Sequence, residues 1–220
     1  LVKISRPVLE NVTKELSKVL YEVKIGHWNR LLRTLKFVQD TEHWKLVLRP
    51  NNWDKMKWNK VVFSDSEYGG DKDTRISITG YIIFLMVVVV CYKPKAQKRV
   101  TLSSTEAEYY AISEVWNEIL YIKQLLEFLG SKVEEPITVK VDNVGAIHLS
   151  NKSTGSQRTR HIDIRTHFVR EYVKDGTVKI EFVRSRDNLA DGFIKNVDGK
   201  TFARHIDKYM CQNKVKTKNN

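Results

Sequence analysis

Four acidic residues of this 220-residue chain stand where a carboxylate is uncomfortable. Asp65 closes the apolar run Val61-Val62-Phe63-Ser64, and Asp142 follows the alternating stretch Ile137–Val141 (ITVKV). Both fall at the ends of expected strands, where ligand sites of sheet proteins gather, although an acid in such a place also serves as a turn former. Glu108 is the sharper case. With Ile112, Val115, Ile119, Ile122 and Leu126 it follows helical spacing, which puts a carboxylate on the apolar stripe of a long helix. That placement costs free energy unless the acid is paired, protonated or bound to metal. The competing reading is a capping box, Thr105-x-x-Glu108, and the two are compatible. Asp191, in DNLADGF, is expected in the first turn of a helix capped by Asp187 or Asn188, where the helix dipole favours an anion. If the four converge they repel one another, and hard divalent cations relieve that repulsion.

Other chemistries fit less well. The six histidines form no HExxH and no Cys/His zinc spacing. His161, Asp163 and His167 (HIDIRTH) put histidine and carboxylate on one expected helix, which reads as surface contacts or structural hydrogen bonds. Ser103-Ser104 lack a nucleophile-elbow context, and no GxxxxGK[ST] loop is present to cradle a nucleotide. Cys91 and Cys211 read as free thiols of a reducing compartment.

The elements that must position the acids read as follows. The first 50 residues predict two amphipathic helices, one from Pro7 through Val8, Val12, Leu16, Val19 and Leu20, the other carrying Trp28, Leu31, Leu32, Leu35 and Val38. Their short connection implies an antiparallel pair. Residues 51–60, polar with Trp53 and Trp58 among lysines, mark a linker. Val61–Ser64 is a short strand; Ile78–Leu85 and Val87–Tyr92 are two more, in a hairpin; a long helix runs from Thr105 to Leu129, stopped by Gly130. Strand 137–141, a short helix through Ile147 and Leu149, a helix from Ile162 to Val173, strand Lys179–Val183 and a helix from Asn188 to Lys195 complete the order. It predicts an α/β protein with a mixed sheet and helices packed on it. Residues 61–195 form the main domain and 196–220 a basic tail, frayed from Cys211 onward. The uncharged stretch Ile76 to Tyr92 approaches a membrane span in length, but its β-branched density and Gly80 favour buried strands, and no membrane partner is expected.

The net charge of +12 points to a polyanionic partner, nucleic acid first. Residues 1–60 carry 13 Lys and Arg against 6 acids, residues 195–220 carry 7 against 2, and residues 61–194 balance at 18 each. The basic excess lies in the flanks, while the candidate chemistry lies in the neutral centre. The chain opens on Leu1 and not on methionine, the expectation for a fragment or processed product.

Five motifs in order, FSDSEYGGDKDTRISITGY, VTLSSTEAEYYAISE, VKVDNVGAIHLS, TRHIDIRTHFVREYV and FVRSRDNLADGFIK, resemble the ribonuclease H domain of copia-type retrotransposon Pol polyproteins. Residues 1–50, with SRPVLENVTKELSKVL and HWNRLLRTLKFVQDT, resemble the helices that end the reverse transcriptase of the same polyproteins. The resemblance implies a ribonuclease H-like mixed five-stranded sheet flanked by helices and preceded by a small helical pair. It also implies hydrolysis of the RNA strand of RNA–DNA hybrids, assisted by two Mg²⁺ or Mn²⁺ ions about 3.5–4 Å apart. Carried over by motif, Asp65 would bridge both ions, Glu108 and Asp142 would hold one and Asp191 the other. Thr105, Asn143, Arg158 and Arg160 are candidates for contacts to the nucleic-acid backbone. The implied partners are the hybrid and the reverse transcriptase remainder, in an intracellular setting (cytoplasmic virus-like particle or nucleus). No polymerase activity is expected, since no paired YxDD-type acids are present. A non-catalytic nucleic-acid-binding remnant is the alternative; an integrase-type nuclease is disfavoured because its acid order ends on Glu. Three positions depart from the family pattern: Met86 to Val90 replaces a Gly-rich turn, Tyr92 replaces Trp, and ADGFIKNV replaces ADILTKPL.

Overall fold

The computed structural model describes residues 2–48, 60–71, 74–151 and 163–212. The chain begins with helix α1 (Val2–Ser5), a 3₁₀ turn at Pro7–Leu9, α2 (Glu10–Ser17), α3 (Ile25–Asp40) and a two-residue strand β1 (Lys45–Leu46). There follow β2 (Lys60–Glu67), β3 (Ile78–Leu85), β4 (Val88–Ala96), the long helix α4 (Ser104–Phe128), β5 (Ile137–Val141) and α5 (Val144–Asn151). Helix α6 (Asp163–Lys174), β6 (Val178–Phe182), a 3₁₀ turn at Ser185–Asp187, α7 (Asp191–Ile194), α8 (Gly199–Ile206) and β7 (Met210–Cys211) complete it.

The main sheet is five-stranded and mixed, in the order β4-β3-β2-β5-β6. Strands β2, β3 and β4 are antiparallel, whereas β2–β5 and β5–β6 run parallel, with helices supplying the crossovers. The uncharged stretch of the sequence is therefore the β3–β4 hairpin, and no helix among the described residues is long and apolar enough to cross a membrane. The hairpin turn lacks glycine, and the chain closes it by forcing Met86 to φ +59°, the left-handed region that costs a residue with a Cβ about 1 kcal/mol or more. A register shift at Ile83/Phe84 accompanies the turn.

Strand alternation sends side chains to two cores. On one face Val62, Tyr81, Ile83 and Val139 meet Tyr109, Ile112, Val115, Trp116 and Ile119 of α4. Each of these large α4 side chains is fully buried and contributes about 1.5–3 kcal/mol. On the other face Phe63, Ile78, Ile82 and Phe84 meet Leu189, Phe193, Ile194 and Ile206, brought by α7 and α8.

The amino-terminal helices pack on this second layer. Arg6 is buried and donates to the Thr41 carbonyl at 2.6 Å and to its hydroxyl at 3.1 Å. The Tyr92 hydroxyl donates to the Val2 carbonyl at 2.7 Å, and β1 pairs antiparallel with β7. Residues 199–211, read from sequence as the start of a basic tail, form α8 and β7. The first predicted helix ends at Ser17, short of Val19 and Leu20. Helix α3 carries the predicted apolar set but leaves part of it outward, with Ile25, Trp28 and Leu35 more than half exposed, while Phe37 packs against Trp44 and Phe202.

Candidate metal centre

Sheet hydrogen bonding between β2 and β5 stops at the pair Phe63↔Lys140, while β2 continues alongside β3 to Glu67. Beyond that last rung the two parallel strands part and open a crevice at their carboxyl ends, the usual place for a ligand in such sheets. Backbone groups of β2 facing the crevice have lost their ladder partners and need others. Side chains supply them. Glu108 accepts from the Ser66 N–H at 3.1 Å, and buried Asn188 donates through Nδ2 to the Ser64 carbonyl at 3.0 Å. The chain thus closes its own sheet gap with one residue of α4 and one of the segment leading to α7.

The four predicted acids line this crevice. Asp65 lies on β2, 1 % exposed, beside the Phe63 face. Asp142 follows the last residue of β5 and is half-buried. Asp191 opens α7 and is 4 % exposed. One carboxylate oxygen from each of these three lies within 4.8 Å of the others. Glu108, 5 % exposed, comes from the α4 side and lies within hydrogen-bonding reach of Asp65.

Two sequence readings are corrected here. The α4 cap is Ser103, whose side chain accepts from the Glu106 N–H at 3.1 Å, while Glu106 accepts from the Leu102 N–H at 2.7 Å. Glu108 is therefore free of capping and aims at β2. Helix α7 starts at Asp191 and not at Asn188. Asn188 is instead an internal clasp, with its Oδ1 accepting from the Ala190 N–H at 3.2 Å while Nδ2 holds Ser64.

Two further residues set Asp191 beside Asp65. Gly80 is the β3 partner of Asp65, and a Cβ there would come within 2.6 Å of Ile194 Cγ2 and 3.1 Å of the Ala190 carbonyl. Only glycine lets α7 settle onto the sheet at that point. The sequence signal was available, since a glycine inside an apolar strand marks a close approach. Lys195 is the second. Its Nζ lies 3.0 Å from Asp65 Oδ2 and 3.1 Å from Asp191 Oδ1.

The electrostatics follow from crowding. Burial first, then the Asp65 and Asp142 charges, pushes Glu108 up to about 9. Burial, then hydrogen bonding and charge from Asp65, pushes Asp191 up to about 9, against the pull of Lys195. Asp142 is raised by burial and by Asp65, with Ser185 and Lys195 opposing. For Lys195 burial works against the ammonium, but the charges of Asp65 and Asp191 outweigh it and raise its pKa.

Asp65 Oδ2, Glu108 Oε2 and Asp191 Oδ1 are buried and receive no directed hydrogen bond. Oxygen-only donors, crowded, buried and short of hydrogen-bond partners, suit a hard divalent cation such as Mg²⁺ or Mn²⁺.

Of the other predicted site residues, Thr105 and Asn143 both flank Gly145. A Cβ on Gly145 would approach Thr105 Oγ1 to 2.9 Å and Asn143 Oδ1 to 3.0 Å. Asn143 also accepts from the Ala146 N–H at 3.0 Å, starting α5. Arg158, Arg160 and His161 lie outside the described residues, as do the side chains of Asp163 and His167.

The sheet order and the acids at its open end define an α/β protein with a mixed five-stranded sheet and a carboxylate cluster at its carboxyl edge. No protein-family model matches the chain. It is 32% identical over 191 residues to the retrovirus-related Pol polyprotein from transposon RE2 of Arabidopsis thaliana, covering 87% of this chain and 13% of that protein. It is 38% identical over 198 residues to the retrovirus-related Pol polyprotein from transposon TNT 1-94 of Nicotiana tabacum, covering 90% of this chain and 14% of that one. These homologues are copia-type retrotransposon Pol polyproteins, and the chain spans about an eighth to a seventh of their length. Among solved structures, LC11-RNase H1 isolated from compost aligns at 10% identity with a TM-score of 0.48, covering 68% of this chain and 99% of that one.

Proposed function

We propose that the chain is the metal-dependent ribonuclease H portion of a retrotransposon polyprotein, hydrolysing the RNA strand of RNA–DNA hybrids. The observation that carries this reading is the convergence of buried carboxylate oxygens at the sheet crevice, in a chain whose homologues are Pol polyproteins. Asp65, Glu108, Asp142 and Asp191 would hold two Mg²⁺ or Mn²⁺ ions. Ions bound there would supply an activated water and neutralise charge on the phosphate and the departing 3′ oxygen.

The chain's own residues prepare that site. Glu108 is fixed by the Ser66 N–H, so its free oxygen is presented to the crevice without a conformational search. Its raised pKa means that it gives up a proton on loading, so metal affinity rises with pH. Thr105 and Asn143 would take the hybrid's sugar–phosphate backbone, and Arg158 and Arg160 would add charge. Selection for RNA in the cut strand would come from 2′-hydroxyl contacts along the groove, not from base edges. The outward apolar residues of α3 offer a surface for the reverse transcriptase remainder of the polyprotein to cover. The setting is intracellular, and polymerase activity is not expected of this portion.

The test is cleavage of a labelled RNA–DNA hybrid by purified protein, with Asp65→Asn alongside. Cleavage in Mg²⁺ or Mn²⁺ that disappears with chelator and in Asp65→Asn, while hybrid binding persists, is the expected result. Binding without any metal-dependent cleavage would instead mark a nucleic-acid-binding remnant.

A further inference from the structure

Lys195 sits where a cation belongs. Its ammonium nitrogen bridges Asp65 and Asp191 at 3.0 and 3.1 Å, and the two side chains it bridges are 2 % and 6 % exposed. The contacted atoms, Asp65 Oδ2 and Asp191 Oδ1, are among the oxygens that receive no directed hydrogen bond. The ammonium thus offsets charge without saturating the lone pairs, which stay available to a metal ion.

The lysine is also built to leave. Its own side chain is 37 % exposed, far more than its partners, and its four-carbon stem carries several rotatable bonds. The residues that flank it are held by helix α2. Lys14 of α2 donates to the Ile194 carbonyl at 2.6 Å, and Asn11 of α2 donates through Nδ2 to Asn196 Oδ1 at 3.0 Å. Residues on both sides of Lys195 are anchored, so the side chain can swing while Asp191 stays in place. Its open side faces a groove shared with Arg30 and Arg33 of α3.

We propose that Lys195 is a resident counter-cation that occupies the position shared by Asp65 and Asp191 and must swing out before a divalent ion can take it. The proposal rests on the metal-centre reading above. Lys195 would keep the acids from repelling one another before loading, at the cost of competing with the ion. A divalent ion wins because it brings twice the charge and accepts several oxygens at once.

Two measurements test this without reference to cleavage. In calorimetric titration with Mn²⁺, Lys195→Met should bind about tenfold more tightly than the parent, the factor that follows from removing one competing charge contact. Its metal-free melting temperature should fall. Equal or weaker Mn²⁺ binding by Lys195→Met would overturn the proposal. Asp65→Asn serves as reference: loss of binding there, with parent and Lys195→Met alike, would leave the metal centre standing and remove only the role of Lys195. No Mn²⁺ binding by either the parent or Lys195→Met would overturn both. The second measurement needs no variant. Amine acylation of the parent, read by mass spectrometry, should label Lys195 several-fold faster with saturating Mg²⁺ than with chelator. Unchanged or slower labelling would contradict displacement.

Discussion

Two stretches of one face of helix α4 make opposite uses of burial. Along its middle, Ile112, Val115, Trp116 and Ile119 meet the sheet as an apolar layer, with Val62, Ile83 and Val139 opposite. One turn before that layer begins, Glu108 is buried just as deeply against Ser66 and Asp65. The first region gains free energy from every side chain it covers. The second loses it, because carboxyls held together in a low dielectric resist ionisation. The apolar layer lets the same helix carry an acid that no isolated helix would hold in that position. Stability and chemistry are therefore adjacent on one element and separable by mutation.

That contrast can be broken from either side. The largest effect is expected at the layer: Trp116→Ala should lower unfolding free energy by about 3–5 kcal/mol in a denaturant titration. Next, Glu108→Gln should raise metal-free stability at pH 8 by about 1–2 kcal/mol, as relief of a functional-site strain does, while abolishing Mn²⁺ affinity at the cluster. A loss of stability in Glu108→Gln would show that the acid is a structural hydrogen-bonding residue. The third probe is the sign of the pH dependence of the parent without metal. Glu108 and Asp191 have folded pKa values of about 9, above their ordinary 4.5 and 3.8, so the folded state binds protons that the unfolded state has released. The contribution of these groups to stability should be fully present below about pH 4, fall as pH rises from there to about 9, and level off beyond. Saturating Mg²⁺ should flatten that slope. A stability that rises over the same window would contradict the placement of the acids.

Much of this organisation was legible in the residues. Apolar, β-branched runs marked β2 and β3, the alternating ITVKV marked β5, Gly130 marked the end of α4, and Glu108 betrayed itself as a charge on an apolar stripe. The cap of α4 was misread because the pattern of hydroxyl, two residues, Glu occurs twice in overlapping frames, Ser103–Glu106 and Thr105–Glu108. Only geometry decides which frame closes. The clasp of Asn188 on Ser64 and the approach of α7 to Gly80 join residues 124 and more than 100 positions apart, and no local periodicity encodes such pairs. Lys195 was visible only as the end of a motif. Its meaning depends on Asp65, which lies 130 residues earlier.

The same non-local bonds revise the meaning of the amino-terminal flank. Its basic excess suggested a role in attracting nucleic acid. Lys14 and Asn11 do something more specific, since they hold the Ile194 carbonyl and the Asn196 side chain on either side of Lys195 and so help fix the carboxyl edge of the metal centre.

The most direct test is the anomalous diffraction of crystals soaked in Mn²⁺. A peak coordinated by Asp65 and shared with Glu108, Asp142 or Asp191 is the predicted result, with Lys195 turned away from any ion lying between Asp65 and Asp191. Manganese bound elsewhere, with Asp65 outside its coordination sphere, would contradict the account.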